Sequence, residues 1–211
     1  MFVRLQRSVV PLMTSRQMVT VSSPVEAVLP HLQSSEEREP LVLDLTLGSG
    51  STSLQILERT KARVVAVDVD PHSSLTVTRL TEEFKERFRG FQSTWSSLPG
   101  LLKAEDAQLG QCDLLIAELG PSSVQLGEGR GFNSSDPGLL DMRFSREGLL
   151  CYDLLRLGEV DHLNKIFKVY GGVIKSKAIV SEIVEKRYLM EDIKTAPHLY
   201  QILSIRLEDT L

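Results

Sequence analysis

"LVLDLTLGSGSTS" (residues 41–53) is a short apolar run that breaks into a glycine turn and resumes at helical spacing through Leu54 and Leu57. Residues 41–46 read as a buried strand and residues 47–53 as the turn that feeds a helix. Asp44 lies within the strand, near its C-terminal end. Gly48 and Gly50 permit a tight turn and close approach of backbone to a ligand, and the helix that follows points free N–H groups at the same spot. Ligands of open parallel sheets bind at the carboxyl ends of strands. This stretch therefore bears on both fold and site, although a Gly-x-Gly turn alone is equally a plain tight turn.

The same alternation continues outward. "RVVAVD" (63–68) is β-branched and apolar, a second buried strand. Residues 70–88 open with a turn and carry Leu75, Leu80, Phe84 and Phe88 near helical spacing. "FQSTW" (91–95) reads as a weaker strand, residues 97–106 as a short helix, and "CDLLIAEL" (112–119) as another buried run. Strands alternating with helices imply right-handed crossovers and a parallel sheet. From about Glu147 the strand-like runs stop. Val160, Leu163, Ile166, Phe167 and Tyr170 form one helical face closed by Gly171 and Gly172; Val173 to Val184 suggest a second helix, and Pro197 opens a third. The expected fold class is α/β: a partial Rossmann-like sheet of parallel strands with flanking helices over residues 24–146, plus a small all-α unit over 147–211.

The chain has 211 residues and a net charge of −4, so it is not a basic protein that coats nucleic acid, and any RNA contact must come from a local patch. Cys112 and Cys151 form no metal spacing and no disulfide framework, which fits a reducing compartment and no metal. No apolar run reaches the roughly 18 residues of a membrane span. Residues 1–23 differ from the rest. Arg4, Arg7 and Arg16 are present, no acid precedes Glu26, and Phe2, Leu5, Val9, Leu12 and Met13 recur at helical spacing. That is the pattern of a mitochondrial presequence, hence an expected matrix location; the alternative is a surface-docked tail.

Asp68 ends the second strand about 20 residues past the glycine turn, where a carboxylate accepts the hydroxyls of a ribose. It is equally placed to be a solvated strand-end acid, while Asp70, before Pro71, suits a helix cap. Trp95 lies either against an adenine face or in the core. "AELGPSSVQLGEGRGF" (117–132) starts on Glu118 at a strand end and runs far longer than an ordinary strand-to-helix connection. Arg130, Arg143, Ser122 and Ser123 either grip RNA phosphates or close the loop on itself, the arginines pairing with Asp136 or Asp141. Spacing alone does not separate a nicotinamide dinucleotide from S-adenosylmethionine.

The motifs separate them. The chain resembles the ribosomal small-subunit methyltransferase H family, also called MraW, closest to its mitochondrial methyltransferase-like protein 15 branch. The family's Asp-Gly-Thr-Phe-Gly-x-Gly-Gly-His-Ser corresponds to the run from Asp44 to Ser53. Its Asp-x-Asp-Pro corresponds to residues 68–71, its Phe-Ser-x-Leu to 95–98, and its Asp-Leu-Gly-x-Ser-Ser-x-Gln-Leu to 118–126. "RGF" (130–132) and "LDMR" (140–143) also match, and the resemblance spans roughly residues 24–207. It implies methyl transfer from S-adenosylmethionine to the N4 of a small-subunit rRNA cytosine. Asp44, Gly48, Gly50, Ser51, Thr52, Asp68, Trp95, Glu118 and Gln125 would hold the cofactor, Gln125 on the resemblance alone. Glu118, Ser122 and Ser123 would be the catalytic set. The partners implied are small-subunit rRNA and ribosome assembly intermediates.

The chain departs from the pattern at several of these places. Glu118 stands for Asp, and Ser51 and Thr52 for Gly and His. A side chain at Ser51 is expected to crowd the backbone approach. The family returns to its sheet after the helical insert, and no such strands follow here. The expectation is a fragment, or a protein partner covering an exposed apolar edge at residues 112–119. A catalytically inactive methyltransferase-fold scaffold for small-subunit assembly is the alternative function. A nicotinamide-dependent oxidoreductase would explain the glycine turn but not "LDMR" or "SSVQL".

Overall fold

A computed structural model describes the backbone of residues 2–5, 10–14, 17–21, 24–33, 38–104 and 111–208. The chain forms two compact units, residues 1–122 and 123–211.

The first unit is built on β4 (Leu41–Asp44), β5 (Arg63–Asp68), β6 (Phe88–Gln92) and β7 (Leu114–Glu118), following β1 (Phe2–Leu5), β2 (Val10–Thr14) and β3 (Gln17–Val21). The helices are α1 (Pro24–Gln33), α2 (Ser51–Arg59), α3 (Ser73–Phe84) and α4 (Leu98–Ala104). The sheet runs β1-β7-β4-β5-β6, and every neighbouring pair in it is parallel. Both faces are covered, which is why the strands read as continuous apolar runs without alternation. On one face Val42, Val64, Ala66, Phe88 and Ile116 pack with Val28, Leu32, Ile56 and Leu57 of α1 and α2. On the other, Leu41, Leu43, Val65 and Val67 pack with Leu98 and Leu102 of α4.

Three expectations are corrected here. The third strand lies three residues earlier than read, because α3 ends at Phe84 and Lys85 takes a left-handed φ of 47°. A 3-10 turn (residues 85–87) then delivers the fully buried Phe88 into β6, and the Arg87 guanidinium fixes that corner by donating to the carbonyls of Leu57, Thr60 and Ala62. The edge of β7 expected to need a partner is paired from within the chain, by β1 from Phe2↔Leu115 to Leu5↔Glu118. Of the N-terminal residues with helical spacing, Phe2 and Leu5 lie in β1 and Leu12 and Met13 in β2, which pairs antiparallel with β3, while Val9 lies outside the described residues.

The second unit contains α5 (Ser123–Gly127), α6 (Cys151–Leu157), α7 (Val160–Lys165), which continues as a π-turn over residues 166–170, α8 (Ser176–Tyr188) and α9 (Ala196–Glu208). Leu140, Leu155, Leu163, Ile179, Ile183 and Ile202 share its core. The division falls after Ser122, where sequence reading set it after residue 146. Leu140 is the physical reason: it is fully buried among the helices, and its N–H donates to the Lys194 carbonyl at 2.8 Å. The Arg187 guanidinium caps α6 by donating to the carbonyls of Leu155 and Gly158. Among the described residues no helix is long and apolar enough to cross a membrane.

Candidate functional site

β4 lies between β5, the next strand in sequence, and β7, which arrives much later. The chain therefore leaves β4 toward one side and returns on the other, and the crevice at the carboxyl ends of these strands is the switch point where open α/β sheets bind ligands. Asp44 is in register with Ala66 of β5 and Ile116 of β7. Asp68 and Glu118 each lie two residues further on, so both stand level with Thr46, just past the end of β4. Three carboxylates thus converge from three adjacent strands.

Hydrogen bonds tie them to the turn. Asp68 accepts the Gly48 N–H on Oδ2 at 2.7 Å and the Asp70 N–H on Oδ1 at 2.8 Å. It is half-buried, and each oxygen keeps a second lone pair, so anchoring the glycine turn and accepting from a ribose are compatible. Asp70 is buried and closes the α3 entry, accepting the His72 N–H on its side chain and the Ser73 N–H on its carbonyl. Gly50 precedes α2 at φ 76°, and a Cβ there would meet Thr76 Cγ2 at 2.5 Å. Glycine is required there for two independent reasons. Gly48, at φ 52°, packs closely on Ser122, which brings the loop after β7 against the turn. Ser51 opens α2 with its side chain exposed, so it does not fill the turn.

Asp44 is the most unusual group. It is 2% exposed, accepting Ser53 Oγ–H at 2.6 Å and the Thr46 N–H at 3.0 Å. Burial outweighs these bonds and, aided by the neighbouring charges of Glu118 and Asp68, pushes its carboxyl up to about 6. Glu118 is held at both ends. Its N–H donates to Thr46 Oγ1 at 2.8 Å, and its carboxylate accepts Thr52 Oγ1–H at 2.6 Å. Trp95 is not a core residue: it is 47% exposed, and its indole N–H donates to the Leu45 carbonyl at 2.6 Å, fixing an open aromatic face beside the strand ends. Asp44, Gly48, Gly50, Ser51, Thr52, Asp68, Trp95, Glu118 and Ser122 therefore belong to one connected region of the first unit. Thr46 and Ser53 join them without having been assigned a role from sequence; the signal available was a short hydroxyl side chain two residues past Asp44 and another inside an apolar helix face.

Ser123, Gln125, Arg130 and Arg143 lie in the second unit. Ser123 begins the five-residue α5, and Gln125 is buried within it. Arg130 is 5% exposed and turned inward. It pairs with Glu128 at 3.1 Å, donates to the carbonyls of Arg143 and Phe144, and sits over the Phe132 ring. Arg143 forms a two-point pair with Asp141, at 2.7 and 2.9 Å, and donates to the Gly148 carbonyl. Asp136 accepts the Gly131 and Gly138 N–H groups at 2.8 Å each. Of the two readings of this loop, the self-closed one is what the structure contains: a phosphate-gripping Arg130 is corrected to one that holds the loop, paired with Glu128 in place of Asp136.

The model of the MraW methylase family matches residues 17–208. The chain is 36% identical over 148 residues to the ribosomal RNA small subunit methyltransferase H of Rhodospirillum rubrum, covering 70% of this chain and 45% of that protein. It is 30% identical over 190 residues to the protein of the same name from Bartonella bacilliformis, covering 90% of this chain and 54% of that one. A region of a long Culex quinquefasciatus chain named as a receptor-type tyrosine-protein phosphatase is 32% identical over 172 residues, but this is 11% of that protein. The chain spans about half the length of the methyltransferases it matches.

Proposed function

This chain belongs to the MraW methylase family, and on that footing we propose that it binds S-adenosylmethionine at the carboxyl ends of β4, β5 and β7 and serves methylation of a cytosine N4 in small-subunit rRNA. The observation that carries the reading is the convergence of Asp44, Asp68 and Glu118 on one glycine turn, beside an open indole face.

The residues present fit such a group. Asp68 offers acceptor oxygens at the place a ribose diol needs them. Trp95 offers a flat apolar face, and the first turn of α2 presents backbone N–H groups. When bound, the cofactor supplies an electrophilic methyl on a sulfonium. The chain's own contribution is mostly positioning: well-placed reactants gain rate from orientation alone. Glu118 is half-buried with its backbone and carboxylate both fixed, so its remaining carboxylate oxygen is suited to accept an N–H in the crevice. Ser122, packed on Gly48, borders the same opening. The target base enters unstacked, as in other base-modifying enzymes. Arg130, buried and donating to loop carbonyls, supports a loop-closing role, and Arg143 stands paired with Asp141 at the loop. The acid-free, Arg-bearing N-terminal stretch supports a mitochondrial matrix location.

Calorimetric titration with S-adenosylmethionine tests the reading. Saturable binding at micromolar to submillimolar cofactor is expected, and no heat at millimolar cofactor sinks it. Binding with no change in N4-methylcytosine on deletion of the gene would favour the inactive assembly scaffold, a reading motivated by Glu118, Ser51 and Thr52 standing where the family pattern has Asp, Gly and His.

A further inference from the structure

Thr52 sits in the first turn of α2 and is 8% exposed. A buried hydroxyl needs a partner for its proton, and here the partner is Glu118 Oε1 at 2.6 Å, 66 residues away in sequence. Thr46 Oγ1 meanwhile accepts the Glu118 N–H. Two threonines from one turn thus clamp a single glutamate, one at its backbone and one at its carboxylate. An unclamped glutamate side chain at a strand end has rotamer freedom that ligand binding would have to remove. Glu118 is also one methylene longer than the aspartate of the resembling pattern, and Thr52 is placed to catch the extended carboxylate. The pair looks matched, not relaxed.

We propose that Thr52 is a positioning residue: its hydroxyl holds Glu118 so that the carboxylate accepts an N–H donor of the bound S-adenosyl group. This rests on the cofactor reading above. One oxygen is engaged by Thr52, and the other is the acceptor for the ligand. The donor is either the ligand's amino group or its adenine amine; both present the same N–H chemistry to a carboxylate.

Calorimetry on the full chain with S-adenosylmethionine, and in parallel with 5′-methylthioadenosine, which lacks the amino-acid moiety, tests this. Thr52→Val keeps the shape and removes the donor; Thr52→Ser keeps the donor. The rotamer freedom restored to Glu118 predicts that Thr52→Val weakens S-adenosylmethionine by up to about 10-fold, while Thr52→Ser stays within about 2-fold. In a Glu118→Ala background, where there is nothing left to hold, Thr52→Val adds no further loss. Weakening of S-adenosylmethionine alone assigns the contact to the amino group; weakening of both ligands assigns it to adenine. Near-native binding by Thr52→Val, equal losses for Val and Ser, or an undiminished effect without Glu118 would overturn the inference while leaving the functional reading intact. Wild-type protein that ignores both ligands at millimolar concentration sinks that reading and this inference together.

Discussion

Asp44 should make the first unit less stable as the solution becomes more basic. Its carboxyl is raised from an ordinary 3.8 to about 6, chiefly by burial. A group that holds its proton more tightly when folded favours the folded state at low pH. As pH rises through the window from 3.8 to about 6 the unfolded chain ionises first, and stability falls; above about 6 the full cost is present. The shift corresponds to about 3 kcal/mol. Asp44→Asn keeps an acceptor for the Thr46 N–H and can donate to Ser53 Oγ, without a charge to bury. Urea unfolding followed by Trp95, the chain's single tryptophan, reads the unit that contains Asp44. Between about pH 5 and about pH 7.5, wild type should lose more stability than Asp44→Asn, by roughly 1–1.5 kcal/mol. Groups titrating elsewhere cancel in that difference. Parallel pH profiles for the two proteins would refute the claim that burial governs this carboxyl.

Two further substitutions test the packing. Gly50→Ala combines a left-handed φ with a Cβ placed 2.5 Å from Thr76 Cγ2, so it should cost at least about 2 kcal/mol in the same Trp95 unfolding assay; a loss below about 0.5 kcal/mol would show the turn to be adaptable. Leu140→Ala removes a fully buried side chain from the helical core and should cost about 2–5 kcal/mol, read as an earlier thermal loss of helical circular dichroism. An unchanged melt would place residues 123–150 outside that unit.

The parallel sheet was legible because its strands are buried on both faces and so appear as unbroken apolar runs. The glycine turn and Asp68 were legible because both serve backbone requirements that only certain residues meet. β6 was displaced in sequence reading because Phe88 follows helical spacing after Phe84, while Lys85, a non-glycine residue at positive φ, breaks the helix where no local signal marks it. Which of its two readings Arg130 follows is not legible in the sequence, because an arginine in a glycine-rich loop is usually solvated. Its burial depends on Glu128 and on carbonyls 13 and 14 residues away. The edge of β7 looked unpaired because a strand of four residues at the N-terminus carries little signal beside a stretch of Arg, Ser and Val. Thr46 and Ser53 were invisible as site residues because their partners are defined only once β7 and α2 are in place.

The bond from Gly48 to Asp68 closes 20 residues, whereas that from Glu118 to Thr46 closes 72. Loop-closure entropy separates the two by only about 1 kcal/mol, yet it sets an order of assembly. The half of the crevice made by β4 and β5 is local and forms early; the half bearing Glu118 waits for a long-range closure, the slow class of event in folding. As the polypeptide emerges from synthesis, a chain still missing β7 can already hold Asp68 on the glycine turn while lacking Glu118, so the cluster of three carboxylates is completed last.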